Sequence, residues 1–416
     1  MKIINCKIDG ADTLQDIVIE AGTFMKIGPA LPDPDSEIVD ANGRLVVPPF
    51  VEPHIHLDAT QTAGDPAWNV SGTLFEGIKL WASRKETLTE ADVVERAVST
   101  VEMCAQHGIQ FIRTHVDVTD PSLVALKAML AVRREVVDLC EMQIVAFPQD
   151  GILSFPNGRE LMERAAEMGA DVLGAIPHGE FTREYGVESV RFVMELAERR
   201  GLSVDIHCDE IDDEQSRFLE VVAAEAIRLG NGARVTASHT CAMGSYNDAY
   251  AYKLMGTLRK SGLNFVSCPT ESIHLQGRLD TYPKRRGLTR VKELLAAGLN
   301  VCFAQDSIID PWYPFGNGNI LNVLFHGLHI AQLTGRGEID RSLDLITVNG
   351  AKTLGIGDRY GIACGKPANL LILDAGTVYD AVRTQAVVLH SIRGGKIIAT
   401  GTPAEKKLTG RTRGND

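Results

Sequence analysis

Histidines and carboxylates recur in this sequence at places where they could hold a metal ion. They include a His-x-His pair, His54 and His56, and later in the chain His207, His239 and Asp306. Side chains two residues apart on a strand point to the same face, so His54 and His56 can bind one ion together. Neutral imidazoles with one carboxylate suit Zn²⁺ or Fe²⁺ and leave a position open for water. The pattern therefore predicts a metal-assisted reaction of water.

Each of these residues lies at the end of a short apolar run that predicts a buried strand. Eight such runs alternate with segments of helical periodicity, and they cover 45–58, 111–118, 143–148, 172–178, 203–210, 233–239, 264–269 and 300–306. One helical segment, 187–201, repeats apolar residues at helical spacing and ends in Gly. The alternation favours a closed barrel over an open doubly wound sheet. In a parallel barrel the C-terminal ends of the strands form the active-site rim.

The two ends of the chain show a different pattern. Short alternating runs with turn residues between them occur in 1–47 and again in 368–401, which is typical of antiparallel strands. We therefore predict an α/β protein of two domains. A hydrolase barrel is expected over 48–365, and both termini, 1–47 and 366–416, are expected to build one small β-sandwich.

Composition limits the partners of the chain. With 42 Lys and Arg against 54 Asp and Glu, the formal charge is −12, which disfavours binding to polymeric nucleic acid. No stretch approaches the apolar length of a membrane span, and the N-terminal residues lack the apolar block of a signal peptide. The eight cysteines include no Cys-x-x-Cys pair, which favours reduced thiols. We expect a cytoplasmic protein that acts on small molecules.

Longer stretches of the sequence resemble a known family. VPPFVEPHIHLDATQTAG, RTHVDVTDP, GAIPHGEFTREYG, IHCDEIDDEQSRF, ASHT, FAQDS and DPWYP occur in the order typical of the amidohydrolase superfamily. They are most similar to its bacterial cytosine deaminases, and the resemblance covers nearly the whole chain. It implies a distorted TIM (β/α)8 barrel with the terminal β-sandwich, one divalent metal ion per subunit (Fe²⁺ or Zn²⁺) and a homo-oligomer.

The resemblance also implies roles for individual residues. The metal-ligand positions are occupied by His54, His56, His207 and Asp306. Glu210 matches the glutamate that moves protons, and His239 matches the histidine that holds the attacking water. With Asp306 these two residues would form the catalytic group. Gln149 matches the amide that binds the pyrimidine edge, and Trp312 matches an aromatic wall of the pocket.

The expected activity is metal-dependent hydrolytic deamination of a free pyrimidine base, cytosine or 5-methylcytosine, to uracil or thymine and ammonia. Three parts of the pocket depart from cytosine deaminases. Ser307 stands where a second Asp follows the metal aspartate, Gly179 stands in place of an aromatic residue, and the segment 267–272 differs. A serine is shorter than an aspartate and uncharged. We therefore expect room beside Ser307 for a 5-methyl group.

Other activities fit the same residues. One is deamination of a related cyclic amidine, such as isocytosine, isoguanine or creatinine, and another is ring opening of a cyclic amide. A binding protein without activity is disfavoured because Glu210 accompanies a full ligand set. The zinc deaminases of nucleosides and nucleic acids pair H-x-E with P-C-x-x-C. Here His178, Gly179 and Glu180 match the first motif, but the second is missing.

Overall fold

The computed structural model describes residues 1–8, 10–32 and 37–405. Its strands are β1 Lys2–Ile8, β2 Gln15–Glu20, β3 Thr23–Gly28, β4 Ile38–Asp40, β5 Leu45–Val47, β6 Phe50–Ile55, β7 Ile109–Asp117, β8 Glu141–Phe147, β9 Val172–Ala175, β10 Ser203–Cys208, β11 Val235–His239, β12 Asn264–Ser267, β13 Asn300–Phe303, β14 Leu370–Leu373, β15 Val388–Arg393 and β16 Lys396–Thr400. Its helices are α1 Leu74–Lys85, α2 Glu90–Gln106, α3 Val124–Glu135, α4 Gly158–Met168, α5 Arg183–Arg200, α6 Phe218–Leu229, α7 Asp248–Ser261, α8 Pro269–Leu275, α9 Val291–Ala296, α10 Ile320–Ile330, α11 Arg336–Asp340, α12 Val348–Thr353 and α13 Val378–Thr384. Within these ranges, no helix combines the length and the apolar character that a membrane crossing requires.

Strands β6 to β13 form an eight-stranded parallel sheet in sequence order. The sheet closes where its first and last strands meet, because Ile55 forms a β-bridge to Asp306. Across this seam His56 N donates to the carbonyl of Asp306 at 3.0 Å, and Asp306 N donates to that of His54 at 2.9 Å. The predicted (β/α)8 barrel is confirmed. The run 45–58 is corrected in one respect, since it contains two strands and β5 belongs to the other sheet.

The buried carboxylate of Glu52 holds the same seam together. It accepts hydrogen bonds from His54 N at 3.2 Å and from the backbone and side-chain nitrogens of Gln305, each at 3.1 Å. Burial raises the pKa of Glu52 to about 8. Because a buried carboxyl must find its partners within the protein, these bonds keep the ends of β6 and β13 at a fixed spacing.

The other sheet combines strands from both ends of the chain. Its order is β16-β15-β14-β5-β1-β2-β3, and β4 pairs with β1. It has an apolar core of its own, which includes Ile3, Ile17, Phe24, Leu370 and Ile392. The predicted fold class is therefore confirmed. The domain boundaries at 47 and 366 remain a prediction, and residues 406–416 of the predicted terminal domain lie outside the described residues.

Local signals set the ends of the helix that leads into β10. The side chain of Thr182 accepts a hydrogen bond from Tyr185 N and so caps the start of α5. The helix ends at Gly201, whose φ of 69° is left-handed. This confirms the helix predicted over 187–201. Strand β10 then begins at Ser203, which places His207 near its C-terminal end.

The turn that precedes β11 packs closely against the end of α7, and this contact can be tested. A Cβ built on Gly232 would lie 1.6 Å from the backbone oxygen of Ser261, whereas a Cβ on Gly256, exposed within α7, has nothing within 4 Å. Gly232→Ala is expected to destabilise the protein by about 1–3 kcal/mol because backbone must move. Gly256→Ala is expected to stabilise it by about 0.5–1 kcal/mol. The midpoints of thermal unfolding at one scan rate report both effects, and a midpoint for Gly232→Ala at or above wild type contradicts the packing.

Candidate metal centre and substrate pocket

Buried histidines and one aspartate meet at the C-terminal end of the barrel. One ligand atom from each of His54, His207, His239 and Asp306 lies within 4.8 Å of all the others. The Nε2 atom of His56 is 3.1 Å from Nε2 of His207 and 3.4 Å from Oδ1 of Asp306. The structure thus brings the four predicted ligands together, with His239 beside them. We call these five residues the metal cluster.

The protonation states and free lone pairs of the metal cluster fit a bound cation. Burial lowers the pKa of His56 to about 4 and the pKa values of His207 and His239 well below their ordinary value. These imidazoles are therefore neutral, which is the metal-binding form. Burial opposes ionisation of Asp306, but His239 and His54 lower its pKa below the ordinary range. Nε2 of His54, Nδ1 of His207 and both ring nitrogens of His239 have no hydrogen-bond partner among the described residues. A cation held within the cluster would satisfy Nε2 of His54.

A chain of hydrogen bonds orients His54 from behind. The hydroxyl of Ser238 donates to Oδ1 of Asp205 at 2.6 Å, and it lies 3.0 Å from Nδ1 of His54. Since the hydroxyl proton is directed to Asp205, the Ser238 oxygen accepts from Nδ1 of His54. This assigns the ring proton to Nδ1 and leaves the lone pair of Nε2 facing the cluster. Arg113 binds the other oxygen of Asp205 at 3.0 Å, and His115 stacks on His54 with ring centroids 3.8 Å apart.

Glu210 lies close to the cluster, on the wall of the adjacent cavity. Its Oε1 is 3.7 Å from Nδ1 of His239, and the same nitrogen is 3.7 Å from Oδ2 of Asp306. Burial raises the pKa of Glu210 well above its ordinary value, and the charge of Asp306 raises it further. A carboxyl group in this position can take up and return a proton within the cavity.

A cavity opens beside these groups, with about 320 Å³ of empty space when the part open to solvent is counted. It is lined by His56, Leu74, Gln149, Ile176, His207, Glu210, Glu271, Asp306, Ser307 and Trp312. The predicted pocket residues Gln149, Ser307 and Trp312 are all on its wall. The amide of Gln149 makes no hydrogen bond to the described residues and is free to bind a ligand.

The structure does not bring Gly179 to the cavity. This residue is exposed in the turn that follows β9, and a Cβ built on it would meet the side chain of Ile176 at 3.3 Å. Because Ile176 lines the cavity, position 179 can affect its shape only indirectly. A substrate-binding role for Gly179 therefore remains a prediction. Glu271, which is 2% exposed, also lines the cavity; no motif in the sequence marks it, although it lies in the divergent segment 267–272.

The arrangement agrees with the similarity of the chain to known proteins. A crystal structure of 5-methylcytosine deaminase from Klebsiella pneumoniae, with 5-fluorocytosine bound, is 60% identical, has a TM-score of 0.96, and the match covers 98% of this chain and 99% of that one. N-isopropylammelide isopropyl amidohydrolase from a Pseudomonas species is 29% identical over 402 residues, which are 95% of this chain and 96% of the relative. Pterin deaminase from Rhizobium rhizogenes is 28% identical over 401 residues, 94% of this chain and 90% of the relative. The family profile itself matches residues 37–399, and the chain belongs to the amidohydrolase family.

Proposed function

We propose that this protein binds one divalent metal ion and hydrolytically deaminates free 5-methylcytosine and cytosine. The observation that carries the proposal is the joint presence of the metal cluster, Glu210 and Gln149 around one small cavity. The 60% identity with a 5-methylcytosine deaminase supports it. In the reaction, water adds its oxygen to C4 of the ring and the bond from C4 to the exocyclic nitrogen breaks. The products are thymine or uracil and ammonia.

The residues that would hold the metal are His54, His56, His207 and Asp306. Fe²⁺ and Zn²⁺ both accept this set of nitrogen and oxygen ligands, and either would lower the pKa of water from 15.7 toward about 7. His239 lies beside both Asp306 and Glu210. From that position its ring can hold the attacking water by a hydrogen bond.

Gln149 and Glu210 would bind and protonate the ring. A primary amide both donates and accepts, so Gln149 can donate to O2 of the base and accept from N1–H. Glu210 takes a proton from the water, delivers it to N3, and later assists protonation of the departing amine. Such acid–base catalysis contributes about 10²–10⁴ in rate. Trp312 and Ile176 supply the apolar surface against which the ring packs.

Ser307 is the residue that would admit the 5-methyl group. It follows Asp306 directly, is 2% exposed and lines the cavity. A carboxylate at this position would meet the methyl group of the base, whereas a hydroxyl is shorter and carries no charge. Burial of one methyl group contributes about 0.8 kcal/mol. We therefore infer that 5-methylcytosine is at least as good a substrate as cytosine.

We further propose that the protein is a cytoplasmic homo-oligomer whose partners are free bases rather than nucleic acid or membranes. The support is the resemblance to cytosine deaminases, the charge of −12 and the eight unpaired cysteines. Sedimentation analysis at several concentrations tests the oligomer.

Metal binding is tested by removing a ligand or the group that orients it. His54→Ala is expected to lose the metal. Ser238→Ala is expected to weaken metal affinity by about 10–100-fold, because His54 then loses the partner of Nδ1. Ser189→Ala is the matched control, since Ser189 is also fully buried but bonds Gly186 in α5. Metal content after titration with a chelator distinguishes the variants, and equal retention in all of them contradicts the proposed centre.

Proton transfer is tested at Glu210. Glu210→Gln preserves the size of the side chain but cannot carry a proton, so kcat should fall by about 10²–10⁴. Its metal content should equal that of the wild type, because Glu210 is not a proposed ligand. Ammonia release in single-turnover and steady-state assays measures the loss. Normal turnover of this variant would show that the mechanism is wrong.

The choice of substrate is tested at Ser307. Ser307→Asp is expected to lower kcat/KM for 5-methylcytosine relative to cytosine by about 10–200-fold, the usual range for one methyl group. Ser307→Asn is the matched control, because it has the shape of Asp without the charge and so separates clash from charge. Ammonia release from isocytosine, isoguanine and creatinine is measured alongside. A wild-type preference for cytosine of about a hundredfold or more would contradict the role of Ser307.

A further inference from the structure

Gln149 lies in a tight turn whose conformation decides where its amide points. The carbonyl of Pro148 accepts from Gly151 N at 2.9 Å, which makes a four-residue turn with Gln149 at its second position. The turn ends at Gly151, with φ of 89°. Since the Gln149 amide has no hydrogen bond to the described residues, other contacts must hold the turn.

One support comes from the side chain of the residue next to Gln149. Oδ2 of Asp150 accepts from Nζ of Lys85 at 2.7 Å and from Oγ1 of Thr119 at 3.0 Å. Lys85 is the last residue of α1, and its Nζ also contacts Asp117 at 2.8 Å. These bonds tie the turn to α1 and to the end of β7.

A second support comes from Glu180, just after β9. Its Oε1 accepts from the backbone nitrogens of Ile152 and Leu153 at 2.7 and 3.2 Å. Its Oε2 accepts from the backbone nitrogen and hydroxyl of Ser154 at 2.9 and 2.7 Å. Glu180 is only 8% exposed, so these charge-assisted bonds form in a poorly solvated place, where they are strong. Glycine is favoured at 151 by its φ of 89°, and a Cβ there would also lie 2.7 Å from Oε2 of Glu180.

We propose that Glu180 is a positioning residue that sets the location of the Gln149 amide. The inference rests on the proposed function, in which Gln149 binds the ring edge. Glu180 is absent from the cavity lining and acts through the backbone of 152–154. A displacement of a binding group by about 1 Å can cost about a hundredfold in rate. The H-x-E motif therefore has a use unlike that in the zinc deaminases, since its glutamate binds backbone N–H groups.

Kinetics of Glu180 variants give the first test. Glu180→Ala is expected to raise KM for 5-methylcytosine by about 10–100-fold, with a smaller change in kcat and an unchanged metal content. Glu180→Gln should have an intermediate effect, because its amide oxygen can still accept hydrogen bonds whereas its amide nitrogen would face backbone N–H donors. Glu160→Gln is the control, an exposed carboxylate in the first turn of α4, and should behave as wild type. Loss of metal from Glu180→Ala, or an unchanged KM, would overturn the proposal.

A double-mutant cycle shows whether Glu180 acts through Gln149. If it does, the variant with both Glu180→Ala and Gln149→Ala should lose no more kcat/KM than Gln149→Ala alone. Independent, additive losses would overturn the proposal. Ser154→Ala removes one of the four hydrogen bonds to Glu180. If Glu180→Ala fails to fold, Ser154→Ala replaces it in the same cycle with Gln149→Ala.

Hydrogen exchange separates this proposal from the proposed function. Backbone amides at 152–154 should exchange faster in Glu180→Ala than in the wild type, and this measurement needs no substrate. Unchanged exchange would overturn the proposed contact even in an active enzyme. Failure of the wild type to release ammonia from either base would instead contradict the proposed function and leave the exchange result to decide the contact.

Discussion

The ion pair between Arg113 and Asp205 is the interaction on which the metal cluster depends. The two side chains are 2% and 0% exposed, so neither charge could remain inside the barrel without the other. Asp205 uses its second oxygen to accept from Ser238, and Ser238 fixes the tautomer of His54. The ion pair in the barrel interior thereby determines which ring nitrogen of His54, a proposed metal ligand, faces the rim. Hydrogen bonds therefore connect the ion pair in the barrel core to His54 in the metal cluster.

The closed barrel determines which parts of the chain can meet at this rim. His54, His207, His239 and Asp306 are far apart in sequence, but each lies at the C-terminal end of a strand or directly after it. The seam between β6 and β13 matters most, because backbone hydrogen bonds between His54, His56 and Asp306 close the barrel with the proposed ligands themselves. The spacing of these residues therefore follows from the register of β6 against β13. The hydrogen bonds that Glu52 accepts from His54 N and Gln305 N help to hold that register.

The parts of the site that the sequence predicts are those that depend on strand period and strand ends. His-x-His spacing and the alternation of apolar runs suffice to place the ligands on one rim. The split at 45–58 has a visible cause, since Pro48 and Pro49 lack the N–H groups that a continuous strand would need. The contacts of Ser238 and Glu180 are different, because they join residues that are 26 to 184 positions apart. Nothing in local composition distinguishes such residues from ordinary polar ones, so only the folded chain shows what they hold.

Two carboxyl groups at the rim, Asp306 and Glu210, have pKa values shifted in opposite directions, and their surroundings account for the difference. Asp306 lies among imidazoles, and His239 and His54 lower its pKa despite burial, so it remains an anion suited to a cation. Glu210 lies toward the cavity, where burial and the negative charge of Asp306 raise its pKa. The negative charge of Asp306 therefore raises the pKa of Glu210. His239 contacts both carboxyl groups, with its Nδ1 3.7 Å from an oxygen of each. Separation of the two pKa values would suit Asp306 to its proposed role as a metal ligand and Glu210 to its proposed role as a proton carrier.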